Sequence, residues 1–129
     1  MIETVGRRPQ LADGTVVPIS PAIQAGKLLF ISGQLGLDDN GELVSADAEL
    51  QVRQCIKRLQ EIADAAGAGL ERIVKANIWV TDKGVFPTVN RVWAEFFQEQ
   101  PPARSTVVSE LLIPGAVVEV DAIAVIADR

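Results

Sequence analysis

Arg104 is the residue whose surroundings most plainly suggest chemistry. It follows Pro101, Pro102 and Ala103, a stiff segment, and it stands immediately ahead of a run of strand-favouring residues. A guanidinium held by such backbone suits two-point binding of a carboxylate, because its fork is planar and always charged. The plainer alternative is a surface ion pair. Glu119 and Asp121 come next: two positions apart on a strand, their side chains leave one face roughly 7 Å from each other. That face is expected to be covered, and covered carboxylates are costly unless paired or put to use. The plainer alternative is that both pair with Arg or Lys from a neighbouring subunit. Histidine is absent and Cys55 is the only cysteine, so neither a His-dependent triad nor a classical zinc site is expected. Residues 38–41 resemble a calcium loop only superficially and read as a solvated turn.

The elements that must position these groups follow from periodicity. Residues 1–26 read as irregular, loops or a hairpin ahead of the main strands, punctuated by Pro9, Gly14, Pro18, Pro21 and Gly26, with Val16 and Val17 at most a short strand. Residues 27–32 predict a buried strand closed by Gly33. Val52, Cys55, Ile56, Leu59, Ile62, Ala63 and Ala66 fall at helical spacing and predict a helix over 47–66, capped by Ser45 or Asp47 and ended by Gly67. Cys55 lies on its apolar stripe and reads as a packing residue. Residues 71–81 alternate as a strand, with Val74, Ala76, Ile78 and Val80 on one face and Ile73, Lys75, Asn77 and Trp79 on the other. A second helix is predicted over 84–98, with Pro87 in its first turn. Short and long strands are predicted over 105–108 and 117–126. In the latter the even positions face the helices. Helices alternating with strands in this way predict an α/β (α+β) domain, one layer of helices on one mixed sheet. The other sheet face, with Ile73, Trp79, Val117, Ile123 and Val125, is too apolar to stay wet. Packing against identical subunits is therefore expected.

The chain has 129 residues, 48% hydrophobic and 22% charged, with a formal net charge of −5. One domain over 1–129 is the expected organisation. Lys and Arg supply most nucleic-acid affinity, so an acidic chain is not expected to bind nucleic acid. A lone cysteine suits a reducing compartment. The first residues lack the basic-then-apolar pattern of a signal peptide, and no apolar run is long enough to span a membrane. A cytoplasmic location without membrane contact is expected.

Several segments resemble one family. Residues 102–105 (PARS) and 118–124 (VEVDAIA) are similar to the C-terminal signature of the Rid family, the reactive intermediate deaminases formerly called YjgF-type or L-PSP proteins. Ile31-Ser32-Gly33-Gln34 resembles the family's Ser-Gly-Gln segment and Thr88-Val89-Asn90 its Thr-Val-Asn. Ile73-Val74-Lys75 ahead of Val80-Thr81-Asp82 matches as well.

The resemblance implies a chorismate-mutase-like fold, a homotrimer packed through the open sheet face, and active sites in clefts between subunits. It implies hydrolytic deamination of reactive 2-imino and enamine acids to 2-keto acids and ammonia, with no cofactor and no metal. Carried over, Arg104 would hold the substrate carboxylate, helped by the backbone around Thr106. The Gly33 carbonyl would accept a hydrogen bond from the imine nitrogen, Glu119 would activate the attacking water, and Ser32 and Asn90 would line or support the cleft. Burial would raise the Glu119 pKa and a nearby Arg104 would lower it. Ala22 stands where many members carry Tyr, which implies a larger, more apolar pocket and leaves the particular substrate open. Thr106 replaces a common Cys, and Ile113-Pro114 is displaced by one residue from the family's Leu-Pro. The alternatives are a hydrolase or deaminase for a different carboxylate-bearing metabolite and a non-catalytic small-carboxylate sensor.

Overall fold

A computed structural model describes residues 2–128; of the domain expected over 1–129, Met1 and Arg129 lie outside the described residues. The strands are β1 (Ile2–Val5), β2 (Ala22–Ala25), β3 (Leu28–Leu35), β4 (Ile73–Val80), β5 (Ala103–Val108) and β6 (Val118–Val125), and the helices α1 (Ala48–Ala65) and α2 (Phe86–Phe96). They form one mixed sheet in the order β1-β2-β3-β6-β4-β5, antiparallel throughout except for the parallel pair β4 and β5. Both helices pack on one face, where Val118, Val120, Ala122 and Ala124 of β6 join the core.

Helix α1 forms where its stripe predicts. Val52, Cys55, Ile56, Leu59 and Ala63 are all fully buried, and each large aliphatic among them contributes about 1.5–3 kcal/mol on burial. The Asp47 side chain caps the helix by accepting from the Leu50 N–H at 3.0 Å. Gly67 follows its end with φ +79°, which a side chain would resist. Helix α2 is shorter than its pattern. Residues 83–85 form a tighter 3₁₀ turn, fixed by the Asp82 carboxylate accepting from the Gly84 N–H at 2.6 Å. At the other end Phe97 leaves the helix and stacks on Trp93, with ring centroids 4.4 Å apart.

One open alternative is settled and three expectations are corrected. Residues 1–26 hold two strands, because β1 and β2 continue the antiparallel pairing begun by β3. Strand β3 does not close at Gly33 but passes it through a bulge between Ile31 and Gln34. Strand β5 begins at Ala103, where its pairing with Lys75 starts, so Arg104 lies within the strand. A second bulge, between Ile73 and Lys75, inserts Val74 as an extra residue in β4. The faces predicted for these residues are therefore exchanged: Ile73 is 4% exposed in the core and Val74 is 47% exposed. Leu28, Phe30, Val74 and Val107 leave apolar surface exposed on the strands.

Gln51, absent from the apolar pattern, is fully buried in α1. Its amide donates to the Ser45 carbonyl at 2.9 Å and the Gly115 carbonyl at 3.0 Å, and accepts from the Val117 N–H at 2.9 Å. It thereby ties the entrance of β6 to the start of α1. Gln51→Leu strands all three backbone groups, and a loss of about 3 kcal/mol is expected. In urea this is read as a lower midpoint at unchanged slope.

Candidate active site

Strand parity decides where each candidate points. Arg104 sits beside Ala76 in the parallel pair β4–β5, and Ala76 is a core residue. The Arg104 side chain therefore leaves the sheet toward α2. There its Nη2 donates to Asn90 Oδ1, while its Cζ stands 5.5 Å from the Trp93 ring centre and 5.8 Å from that of Phe86. Phe86, Asn90 and Trp93 recur at helical spacing (i, i+4, i+7) and so share one face of α2. Two aromatic rings and one amide oxygen thus hold the guanidinium. Partial burial pulls its pKa down from the ordinary value, yet an arginine stays a cation. Among the described residues no carboxylate pairs with it.

Thr106 lies two residues on, on the same side of the strand. Its Oγ1 is buried and has no hydrogen-bond partner among the described residues. A buried hydroxyl in that condition is uncommon and calls for a partner.

Glu119 occupies the opposite face of the sheet, because odd positions of β6 point away from the helices. It lies in register with Leu35 on β3 and Trp79 on β4. Its carboxylate is seated over Gly33, and a Cβ built there would overlap the Glu119 oxygens. The bulge and the missing side chain together open that seat. Burial, and secondarily the Asp121 charge, hold the Glu119 pKa above the ordinary carboxylate value. No ion pair joins Glu119 or Asp121 to a cation among the described residues.

Gly33→Ala tests the seat. The Gly33 backbone has no left-handed φ, so alanine is tolerated by the chain and the added methyl displaces the carboxylate instead. If Glu119 acts on substrate, a roughly 10²-fold loss of kcat/KM is expected, as for other displacements of a reacting group. Thermal unfolding measured beside it separates that loss from misfolding.

The expected site residues therefore fall into two groups. Arg104, Asn90 and Thr106 meet between β5 and α2, while Gly33 and Glu119 meet across the other face. Within one chain the sheet separates them, and that chain's Arg104 does not act on its Glu119 pKa. Ser32 is tied to the N-terminal loop, its Oγ donating to the Ser20 carbonyl at 2.6 Å and its N–H to that of Pro21 at 2.9 Å. Ala22 is corrected: it pairs with Ile31 and is 1% exposed in the core, so its methyl faces the packed side and lines no open pocket in the chain. Phe86 was not foreseen, although the Phe86–Asn90–Trp93 spacing carried the signal.

Comparison with known proteins agrees with this fold. Residues 11–126 match the family model described as endoribonuclease L-PSP. A RutC family protein of Sinorhizobium fredii is 45% identical over 124 residues, covering 95% of this chain and 97% of its own length. A protein of Mus musculus named 2-iminobutanoate/2-iminopropanoate deaminase is 37% identical, covering 88% of this chain and 85% of its own. A crystal structure of a Rid-family protein of unknown function from Yersinia pestis superposes with a TM-score of 0.87 at 33% identity, covering 98% of this chain and all of that one.

Proposed function

Because the chain belongs to the endoribonuclease L-PSP family, which takes in the Rid proteins, we propose that it hydrolyses 2-imino acids to 2-keto acids and ammonia. The observation that carries this reading is Arg104, a guanidinium fixed by Asn90, Phe86 and Trp93 with no acid to neutralise it among the described residues. The name of the mouse relative supports the choice of substrate.

The reaction asks little of the protein. A protonated imine is already electrophilic, so one positioned water and modest base assistance suffice. Arg104 holds the carboxylate and so fixes the imine carbon. Glu119 takes a proton as the water oxygen bonds to that carbon and the C=N π pair moves to nitrogen. Glu119 then gives its proton to the carbinolamine nitrogen, which leaves as ammonia while the O–H proton passes to solvent and the C=O forms. The balance is one imine and one water in, one keto acid and one ammonia out.

Since the sheet stands between Arg104 and Glu119 in one chain, this reading requires a second copy to bring its Glu119 and Gly33 to the Arg104 of the first. The exposed apolar residues on the face that carries Glu119 support such an assembly, and a closed ring of three satisfies every copy alike. The working site is thus a cleft between subunits in a cytoplasmic homotrimer, without metal or cofactor.

The test is to generate 2-iminobutanoate in situ with a threonine dehydratase and to follow its loss by semicarbazide trapping. Faster loss with the purified protein is expected; no acceleration by folded, oligomeric protein overturns the proposal. The pH profile carries a second expectation. Glu119 works as the carboxylate, so kcat/KM falls on the acid side as it protonates, a limb that burial moves up and the neighbouring copy's Arg104 moves down, and that disappears in Glu119→Gln. The sign for folding is opposite: a raised carboxylate pKa favours the protonated native state, so stability falls as pH rises through that window.

A further inference from the structure

Beside Arg104 lies a cavity of about 350 Å³ walled by Val80, Lys83, Phe86, Thr106, Val107 and Val108. Phe86 belongs to both places, since its ring also lies under the Arg104 guanidinium. The cavity is far larger than the one- or two-carbon side chain of the simplest 2-imino acids. It reaches the lower end of the range that holds small organic ligands.

Its chemistry is uneven. Val80, Phe86 and Val108 offer apolar walls, but Thr106 brings a buried hydroxyl without a partner among the described residues. Lys83 brings an ammonium in no ion pair among the described residues. Lys83 opens the 3₁₀ turn that leads into α2 and shares the cavity wall with Phe86, three residues on. Three residues at 3₁₀ rise and four at α-helical rise put it roughly 12 Å along the axis from Asn90.

We propose that the site takes a dicarboxylic 2-imino acid, with Arg104 on the 1-carboxylate and Lys83 on the terminal one. This rests on the reading of Arg104 given above. Two or three methylenes between the imine carbon and the far carboxylate lie along the apolar walls, and the four-carbon lysine stem covers the remaining reach. Thr106 Oγ1 donates to the same far carboxylate or to the water bound to it. A purely alkyl side chain fits the walls equally well but seals the Thr106 hydroxyl under hydrocarbon without a hydrogen bond. This decides between the two.

The experiment compares 2-iminoglutarate with 2-iminopentanoate, equal in carbon number, each generated in situ by an amino-acid oxidase with catalase present. For the wild type, kcat/KM for the diacid is expected to exceed that for the monoacid by about tenfold, the usual scale of a charge-assisted contact. Lys83→Met is expected to erase that ratio and Lys83→Arg to restore most of it. A ratio near one in the wild type, or one unmoved by Lys83→Met, overturns the proposal. If neither imine is turned over, the deaminase reading fails, and calorimetry with 2-oxoglutarate and 2-oxopentanoate still decides. Tighter binding of the diacid that Lys83→Met abolishes supports the cavity assignment, and equal affinity refutes it.

Discussion

Arg104→Ala is expected to lower kcat/KM for 2-iminobutanoate by about 10²- to 10³-fold, the scale seen when a buried charged partner or an oriented donor is removed. The loss has two parts. The carboxylate forfeits its two-point contact, and the imine carbon forfeits the placement that this contact imposes. Arg104→Lys separates them: it keeps the charge, but a single ammonium cannot reproduce the fork that Asn90 and the two rings orient. Most of the loss is therefore expected in the lysine variant as well. Asn90→Ala is expected to fall between wild type and Arg104→Lys, since it frees the guanidinium without discharging it. Steady-state kinetics of the three variants, with thermal unfolding measured alongside, checks the order.

The second large effect comes from mixing. Arg104→Ala and Glu119→Gln are each expected to be nearly inactive, but for different reasons, and the defective groups lie on opposite faces of the sheet. When the two variants are unfolded together and refolded, or left to exchange subunits, some clefts receive Arg104 from one chain and Glu119 from the other. In a closed ring, random mixing makes about one quarter of the clefts intact. Activity is thus expected to rise from about 1% or less to roughly a quarter of wild type. A mixture as inactive as its parts places both groups in a single chain's site and contradicts the assembly proposed here.

Strong, uninterrupted periodicity was the part of the fold legible before any coordinates. The stripe from Val52 to Ala63 and the alternation from Val118 to Ala124 identified α1, β6 and the core between them. What escaped was every place where the period breaks. One inserted residue at Val74 reverses the side of Ile73, and no local composition marks it, because Ile and Val suit either face equally. Strands β1 and β2 were hidden by the prolines and glycines around them, and they exist because β3 offers an edge to pair with. The same limit applies to the site. Arg104 and Glu119 were both identified as residues of interest, but parity along two different strands sends them to opposite faces. Only the strand pairing shows that they cannot meet within one chain. Ala22 failed for the converse reason: a position equated through a motif turned out to face the core. Gln51 was invisible because a polar residue inside a helix reads as solvent-facing until its three partners are seen.

The order of the strands also bears on how the chain is made. Strand β6 is the last of the strands in the chain, yet it lies at the middle of the sheet, and it is what joins β3 to β4. A nascent chain that has emerged only through β5 therefore holds two fragments, a three-stranded meander and a parallel pair, each with an open edge and part of the core uncovered. The pairing that unites them spans most of the sequence, a costly loop closure that comes late. A chain made only through β5 is thus an unfinished sheet waiting on one segment. A stop codon between residues 109 and 117 leaves both edges open to other chains, and such truncations belong to the chaperones rather than to the folded pool.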